Sequence, residues 1–250
     1  MKPLLSEMLE QADALYAERA EAARVGESIR LLREQAESAR RGRPRDEEPG
    51  PEEDEESYEI GWRLGRALFF LGQESKDAAR ARRLHGQAVE DCERAVRLVP
   101  ERVEALFWLG VNLALLARQA ENPLQALRNA LRARRALKSA AGIDPSYHAA
   151  GPLRVLARLE QRLPRLFGGS RKRALSLYRR AVSLAPSNTV TRLYLAELLL
   201  EIDDLEGARA ELETIIGMEP DPAWAFEAAR DRRLAQKMLD QLAAAERPIR

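Results

Sequence analysis

Four prolines terminate segments that share one helical frame. Twelve, eight and five residues before Pro100, Pro145, Pro186 and Pro220 stand a small residue, a larger one and a further small or apolar one. Spacings of three and four residues place these side chains on one face of a helix, which the proline ends. The small residues let a neighbouring helix approach closely. The frame consists of Ala88, Cys92 and Ala95; Ala133, Leu137 and Ala140; Ala174, Tyr178 and Ala181; and Ala208, Leu212 and Ile215.

A second frame of small residues precedes each of these segments, at Gly65, Gly110, Gly151 and Ala196. Together the two frames resemble the tetratricopeptide repeat, a helix–turn–helix unit with small and bulky residues at fixed positions and a terminal proline. Small residue and proline are 24 residues apart in the last unit but 35 apart in the first three, which therefore share an 11-residue extension. The predicted units span residues 58–100, 101–145, 146–186 and 187–220. Pro152 is expected to kink the first helix of the third unit.

The flanking segments complete an all-α prediction. Residues 1–41 show apolar residues at helical spacing around one break, which predicts an N-terminal helical hairpin. Residues 42–57 contain eight carboxylates and no large apolar residue, which predicts a mobile loop. It is either a solvated linker or an acidic strap that folds onto the basic residues 128–180. Residues 221–250 are expected to form a capping helix and tail. The predicted fold is a right-handed tetratricopeptide-like solenoid (an α-α superhelix) of helical hairpins.

Charge is unevenly distributed in a chain whose formal net charge is only +1. Residues 128–180 carry 14 basic and 2 acidic side chains. This segment is expected to be either a solvated face or a face for an acidic partner. Nucleic acid is disfavoured, because the arginines are not interleaved with the aromatic residues that would stack on its bases. No apolar run is long enough to span a membrane. The opening residues acquire charges too early for a secretion signal, and no lipid-acceptor cysteine follows them. As written, the chain is expected to be cytoplasmic, or periplasmic if a leader was removed.

Catalysis is not predicted. His85 and His148 are 63 residues apart and Cys92 is the single cysteine, so neither a zinc-ligand set nor a nucleophile–base pair has the required spacing. No glycine-rich nucleotide motif is present. The sequence therefore predicts a non-catalytic binding protein without metal or cofactor.

The tetratricopeptide resemblance implies a concave face that the first helices of the units line. The positions that would contribute hold aromatic and apolar residues rather than the lysine and asparagine that clamp a peptide carboxylate. An apolar ligand, a partner helix or the chain's own N-terminal hairpin could fill such a groove. The candidate ligand-binding residues are Trp62, Arg66, Phe69, Phe70, Phe107, Val111 and His148.

A glycine turn offers a second candidate site. Backbone amides at a helix N-terminus with cations alongside can bind an anion. The alternative is structural, with the glycines forming a sharp turn and the serine capping the helix. The residues concerned are Gly168, Gly169, Ser170, Arg171 and Arg173.

A closer family resemblance lies in residues 148–186, HAAGPLRVLARLEQRLPRLFGGSRKRALSLYRRAVSLAP. The early Gly-Pro, the proline-bounded break and the Gly-Gly-Ser that opens a repeat helix are similar to the TatT component family of TRAP (tripartite ATP-independent periplasmic) transporters. The similarity extends over about residues 58–240. It implies a helical-repeat protein that engages a periplasmic solute-binding protein, as a trimer with a central apolar channel and clefts. A cytoplasmic scaffold or assembly adaptor is the alternative function.

Overall fold

A computed structural model of the chain describes residues 3–41, 50–219 and 221–245. These residues form α-helices and short 3-10 turns, and no strand occurs among them. The predicted all-α class is therefore confirmed. The helices are α1 Pro3–Ala17, α2 Ala22–Arg41, α3 Pro51–Glu74, α4 Ala78–Leu98, α5 Val103–Gln119, α6 Pro123–Ile143, α7 Tyr147–Arg162, α8 Arg171–Leu184, α9 Thr189–Glu201, α10 Leu205–Gly217 and α11 Ala225–Ala245, with 3-10 turns at Arg165–Phe167 and Pro222–Trp224.

The chain divides into two compact units, Met1–Ile143 and Asp144–Arg250. The first unit contains three successive helical hairpins, α1–α2, α3–α4 and α5–α6. The second contains the hairpins α7–α8 and α9–α10, followed by α11. None of the described helices is both long and apolar enough to cross a lipid bilayer.

Polar side chains and prolines set where the helices begin. The side chains of Asp77, Ser170, Asn188 and Asp204 accept hydrogen bonds from backbone N–H groups in the first turns of α4, α8, α9 and α10. Each satisfies donors that a helix N-terminus otherwise leaves without a partner.

The acidic segment predicted to be a loop is partly helical. Residues 42–49 lie outside the described residues, but Pro51 begins α3 and residues 51–57 form its first turns. Proline fits the first helical position because its missing N–H is not needed there. Glu52, Glu53 and Asp54 in the first turn favour the positive end of the helix dipole. Composition alone had indicated a loop, whereas these terminal effects stabilise a helix.

The N-terminal hairpin packs against α3. Its apolar face joins that helix in one buried cluster formed by Leu5, Leu9, Ala12, Leu32, Ile60, Leu64, Leu68 and Ala88. The Ser28 hydroxyl of α2 donates a 2.9 Å hydrogen bond to the carbonyl of Ala12 in α1, which ties the two arms together. The hairpin therefore covers the face of α3 that a preceding repeat would cover.

Small residues bring the helices of each hairpin together in the first unit. A Cβ atom on Gly65 of α3 would lie 2.1 Å from Sγ of Cys92 in α4. A Cβ atom on Gly110 of α5 would lie 2.5 Å from Cγ of Leu137 in α6. Cys92 and Leu137 are both fully buried. The larger residue of the second helix thus fills the space beside the glycine of the first.

The 11-residue extension lengthens helices rather than forming a loop in the first two repeat hairpins. α3 continues nine residues beyond Gly65, whereas α9 continues only five beyond Ala196. α4 begins ten residues before Ala88, whereas α10 begins three residues before Ala208. Both helices of the hairpin are therefore longer at the end where the chain turns. In the hairpin α7–α8 the second helix is short, and residues 163–170 form a turn instead.

The second unit ends with α11 packed on α9 and α10. Ala235 and Leu242 of α11 join Leu193, Leu212 and Ile215 in one buried cluster. Exposed polar residues alternate with these along α11. This arrangement is that of a helix capping the last repeat.

Candidate functional site

Two of the predicted groove residues, Arg66 and Phe70, contact the N-terminal hairpin. Trp62 and Phe70 of α3 are buried, and the Arg66 guanidinium lies 4.0 Å from the ring centroid of Tyr16 in α1. The Tyr16 ring also contacts Phe70 edge to face, with centroids 6.3 Å apart. The chain's own hairpin therefore covers Arg66 and Phe70, as in the self-occupied alternative that the sequence left open.

Ion pairs fix the hairpin on this surface. Asp13 of α1 accepts hydrogen bonds from Arg63 Nε, at 3.1 Å, and from Arg66 Nη2. Arg33 of α2 pairs with Asp91 of α4, which is 3% exposed. Because these arginines are partly buried, their pairs are less screened than surface pairs.

The other predicted groove residues are distributed between core and surface. Phe107 is 1% exposed and contacts Trp108 edge to face, and Val111 is also buried. Phe69 is half-buried, with its centroid 5.3 Å from that of Trp108. His148 belongs to the second unit. The structure thus differs from the expectation of an open aromatic groove, because most of these side chains pack against neighbouring helices.

The polar groups of the glycine turn form hydrogen bonds within the protein. Gly168 has φ 83°, and a Cβ atom on Gly169 would lie 1.8 Å from the carbonyl oxygen of Leu163. The N–H groups of Gly169 and Ser170 donate to the carbonyls of Pro164, at 3.1 Å, and Glu160, at 2.8 Å.

Side chains complete this turn. The Ser170 hydroxyl accepts from the Arg173 N–H at 3.2 Å, which caps α8. The Arg173 guanidinium donates to the buried Glu160 carboxylate at 2.8 and 3.0 Å. Arg171 pairs with Glu201 at 3.7 Å. These contacts support the structural alternative, in which an internal carboxylate takes the place of an external anion.

An open groove lies on the first unit between α4, α5 and α6. Its volume is about 350 Å³. Its floor is apolar, and basic and polar side chains line its rim, including an ion pair between Arg132 and Glu93. The lining residues are Glu93, Leu106, Leu109, Leu113, Arg132, Arg135, Ala136 and Ser139.

The helix α6 gives this groove a positive edge. Residues 123–143 contain five arginines or lysines and no carboxylate. Arg135, Lys138 and Arg128 are exposed on this helix. The sequence indicated the charge but not the groove, because the floor leucines match the pattern of repeat core residues.

Three residues of the second unit form a left-handed turn. His148, Ala149 and Ala150 have φ of 51°, 53° and 57° at the start of α7. Each such residue costs roughly 1–2 kcal/mol when it carries a Cβ atom. The ring of Pro152 would clash with the carbonyl of His148 in a continuous right-handed helix, which explains why the break lies here. The predicted kink is therefore a reversal of helical hand.

Buried polar groups surround this turn. Arg154 is 6% exposed and donates from Nη1 to the carbonyl of Ala149 at 2.9 Å and to Asn188 Oδ1 and Thr191 Oγ1, each at 3.4 Å. Burial lowers the pKa of the Arg154 guanidinium, and Tyr194 and Asp231 partly offset this effect. Asp231 accepts a 2.7 Å hydrogen bond from Thr189, and burial raises its pKa.

The chain's cysteine and His85 lie in the core of the first unit. Burial raises the pKa of the Cys92 thiol well above its usual value. Burial also lowers the pKa of His85, which contacts Asn112 at 2.9 Å. Within residues 3–41, 50–219 and 221–245, no group of three histidine, cysteine or acidic side chains is arranged to hold a metal ion.

Comparison with known proteins defines the class first. The crystal structure of a thermophilic TPR protein from Thermus thermophilus matches with a TM-score of 0.65 and 20% identity. The match covers 93% of this chain and 99% of that one, and it shows the tetratricopeptide fold. No curated protein matches the sequence.

The family follows from the sequence. The model of the TRAP transporter T-component family matches residues 63–244. The chain belongs to this family, which confirms the resemblance drawn from residues 148–186.

Proposed function

We propose that this protein is a non-catalytic accessory of a TRAP-type solute transporter and docks a protein partner, the solute-binding protein. The open groove of the first unit is the observation that carries this proposal. It combines an apolar floor of three leucines with a rim that contains Arg132 and Arg135. Membership of the TRAP T-component family supports the nature of the partner.

Charge and apolar area have separate roles in this docking. The cations of α6 attract an acidic surface and orient the encounter, because electrostatic complementarity mainly raises the association rate. The leucine floor then excludes water around an inserted apolar side chain, which slows dissociation. The partner face is therefore acidic around one apolar projection.

Filling the groove tests the apolar part of this proposal. Ser139 lines the groove and is exposed, so Ser139→Trp would occupy it without altering the leucine floor. We expect binding of the purified solute-binding protein, measured by isothermal titration calorimetry, to weaken about tenfold or more. Gln125→Trp is the matched control, since Gln125 is exposed on the same helix but does not line the groove. Equal affinities of the two variants would contradict docking here.

Charge reversal tests the rim. We expect Arg135→Glu to slow association several-fold in surface plasmon resonance, with a difference that shrinks as salt is added. Arg128→Glu places the same charge on an exposed position of α6 outside the groove and should have a smaller effect. If the native protein binds no solute-binding protein and captures only assembly factors instead, the adaptor function replaces this proposal.

A further inference from the structure

A buried cation without a bonded counter-ion lies in the second unit. Arg154 forms no ion pair with any residue of the described chain, and its three hydrogen bonds all leave from Nη1. Its acceptors there are one backbone carbonyl, one amide oxygen and one hydroxyl. The Nε–Nη2 edge of the guanidinium, which is the edge suited to bidentate recognition, makes no hydrogen bond to the described residues.

The position of Arg154 makes this charge more costly. Asn188 is the N-cap of α9, and its Oδ1 accepts from the Thr191 N–H at 2.9 Å. Arg154 contacts the same oxygen, so the guanidinium lies at the positive end of the α9 dipole. A buried charge is stable only when paired, and a helix N-terminus favours an anion rather than a cation. Both effects favour an anion beside Arg154.

A second donor supports the presence of a ligand. The Asn188 side chain is 2% exposed, and its Nδ2 has no hydrogen-bond partner. The orientation of this amide is fixed, because its oxygen accepts from both the N–H and the hydroxyl of Thr191. Nδ2 is therefore a buried hydrogen-bond donor on the same amide group whose oxygen contacts Arg154. Buried donors of this kind normally form a hydrogen bond.

We propose that Arg154 and Asn188 bind a carboxylate group, whose oxygens accept hydrogen bonds from the open guanidinium edge and from Asn188 Nδ2. Two rings flank this position. The Arg154 Cζ atom lies 5.9 Å from the centroid of the Trp224 ring, and the His148 and Trp224 rings meet edge to face at 4.7 Å. Both rings are partly exposed.

A carboxylate fits this site better than a phosphate does. The carboxylates of Asp231, which is 1% exposed, and of Glu227 both stabilise the charge of Arg154. These nearby carboxylates repel a dianion more strongly than a monoanion, and a carboxylate ligand presents two oxygens to the guanidinium edge. The carboxylate belongs either to a free organic acid or to an acidic side chain of a bound protein.

Nitrogen-15 NMR of the arginine side chains tests the site in the full chain. Arg154→Lys assigns the Nε–H resonance of Arg154. We expect acetate or benzoate to shift this resonance saturably if the source is a free acid. Shifts by only acetyl-Gly-Glu-Gly-amide would identify a protein side chain as the source. No shift by any of these carboxylates, or a shift by inorganic phosphate alone, overturns the proposal.

Two variants connect binding to the named residues. Arg154→Met should weaken carboxylate binding at least tenfold, whereas Arg233→Met removes the same charge from an exposed position of α11 and should not. Asn188→Asp keeps an N-cap and supplies an internal counter-ion, so it should raise the melting temperature and abolish binding. This variant keeps the test decisive if Arg154→Met does not fold. Unchanged affinity in Asn188→Asp would contradict the site. The site does not depend on docking at the groove of the first unit.

Discussion

At the residue scale, a glycine and a cysteine decide how closely α3 and α4 approach. Gly65→Ala would place a methyl group 2.1 Å from Cys92 Sγ, and both positions are in the buried interior of the hairpin. We expect a loss of about 2 kcal/mol in the free energy of unfolding, the usual range for overpacking a core. Urea titration followed by circular dichroism measures it.

Two further variants separate crowding from helix propensity. Adding Cys92→Ala to Gly65→Ala should recover most of the lost stability, because it removes the crowded sulfur atom. Gly86→Ala, with no atom within 4 Å of the new Cβ, should instead stabilise α4 by about 1 kcal/mol. A Gly65→Ala protein as stable as the native chain would show that the two helices are farther apart.

His85 should make stability depend on pH. Asn112 donates its Nδ2 to the carbonyls of Gly65 and Trp108, so its Oδ1 accepts the proton of His85 Nδ1. The other ring nitrogen is buried without a partner, and a second proton there would find no acceptor. The pKa of His85 is accordingly lowered by burial. The unfolded chain takes up this proton near pH 6.5 while the folded chain resists it.

The free energy of unfolding should therefore fall as pH drops below about 6.5, by up to about 1.4 kcal/mol per pH unit from this group. Urea titrations between pH 5.5 and 7.5 measure the slope. His85→Leu should flatten this slope. His148→Asn changes the only other histidine and should leave the slope unchanged. The interpretation fails if both variants retain the native slope.

At the element scale, the left-handed turn at the start of α7 is the feature that sequence patterns do not predict. Gly-Pro indicated a kink, but a reversal of hand also depends on Arg154 holding the carbonyl of Ala149. We expect Ala149→Gly to raise the free energy of unfolding by about 1 kcal/mol, because glycine adopts φ 53° without a Cβ penalty.

A matched substitution checks this prediction. Ala229→Gly lies at an exposed position of the right-handed helix α11 and should lower stability by about 1 kcal/mol. Thermal or urea unfolding of both variants supplies the comparison. Destabilisation by Ala149→Gly to the same extent would mean that the turn is right-handed in solution.

The repeat frame was predictable because it records contacts between neighbouring helices. Small residues, larger residues and terminal prolines mark helix approach and helix ends, which depend on residues close in sequence. The covered groove was not predictable in the same way. It depends on Asp13 meeting Arg63 and Arg66, some 50 residues away, and the same aromatic pattern fits an open groove or a filled one.

At the scale of the whole molecule, a nearly neutral chain carries strongly basic helices. α6 and α8 contain no carboxylate, although the formal net charge is +1. The basic block was visible in the sequence. The groove beside α6 was not, because it requires the position of α4 relative to α5 and α6. The separation of roles follows: the first unit has the groove proposed to dock a protein, and the second has the arginine proposed to bind a carboxylate.

Amide hydrogen exchange with and without the purified solute-binding protein tests the docking surface most directly. We predict slower exchange in α5 and in the part of α6 around Arg135 and Ser139, with no change in α8, which is equally basic but has no part in the groove. Measurements at a saturating concentration of the partner, and at a series of salt concentrations, would relate the protection from exchange to binding. Protection confined to α8, or none at saturation, would contradict docking through the groove of the first unit.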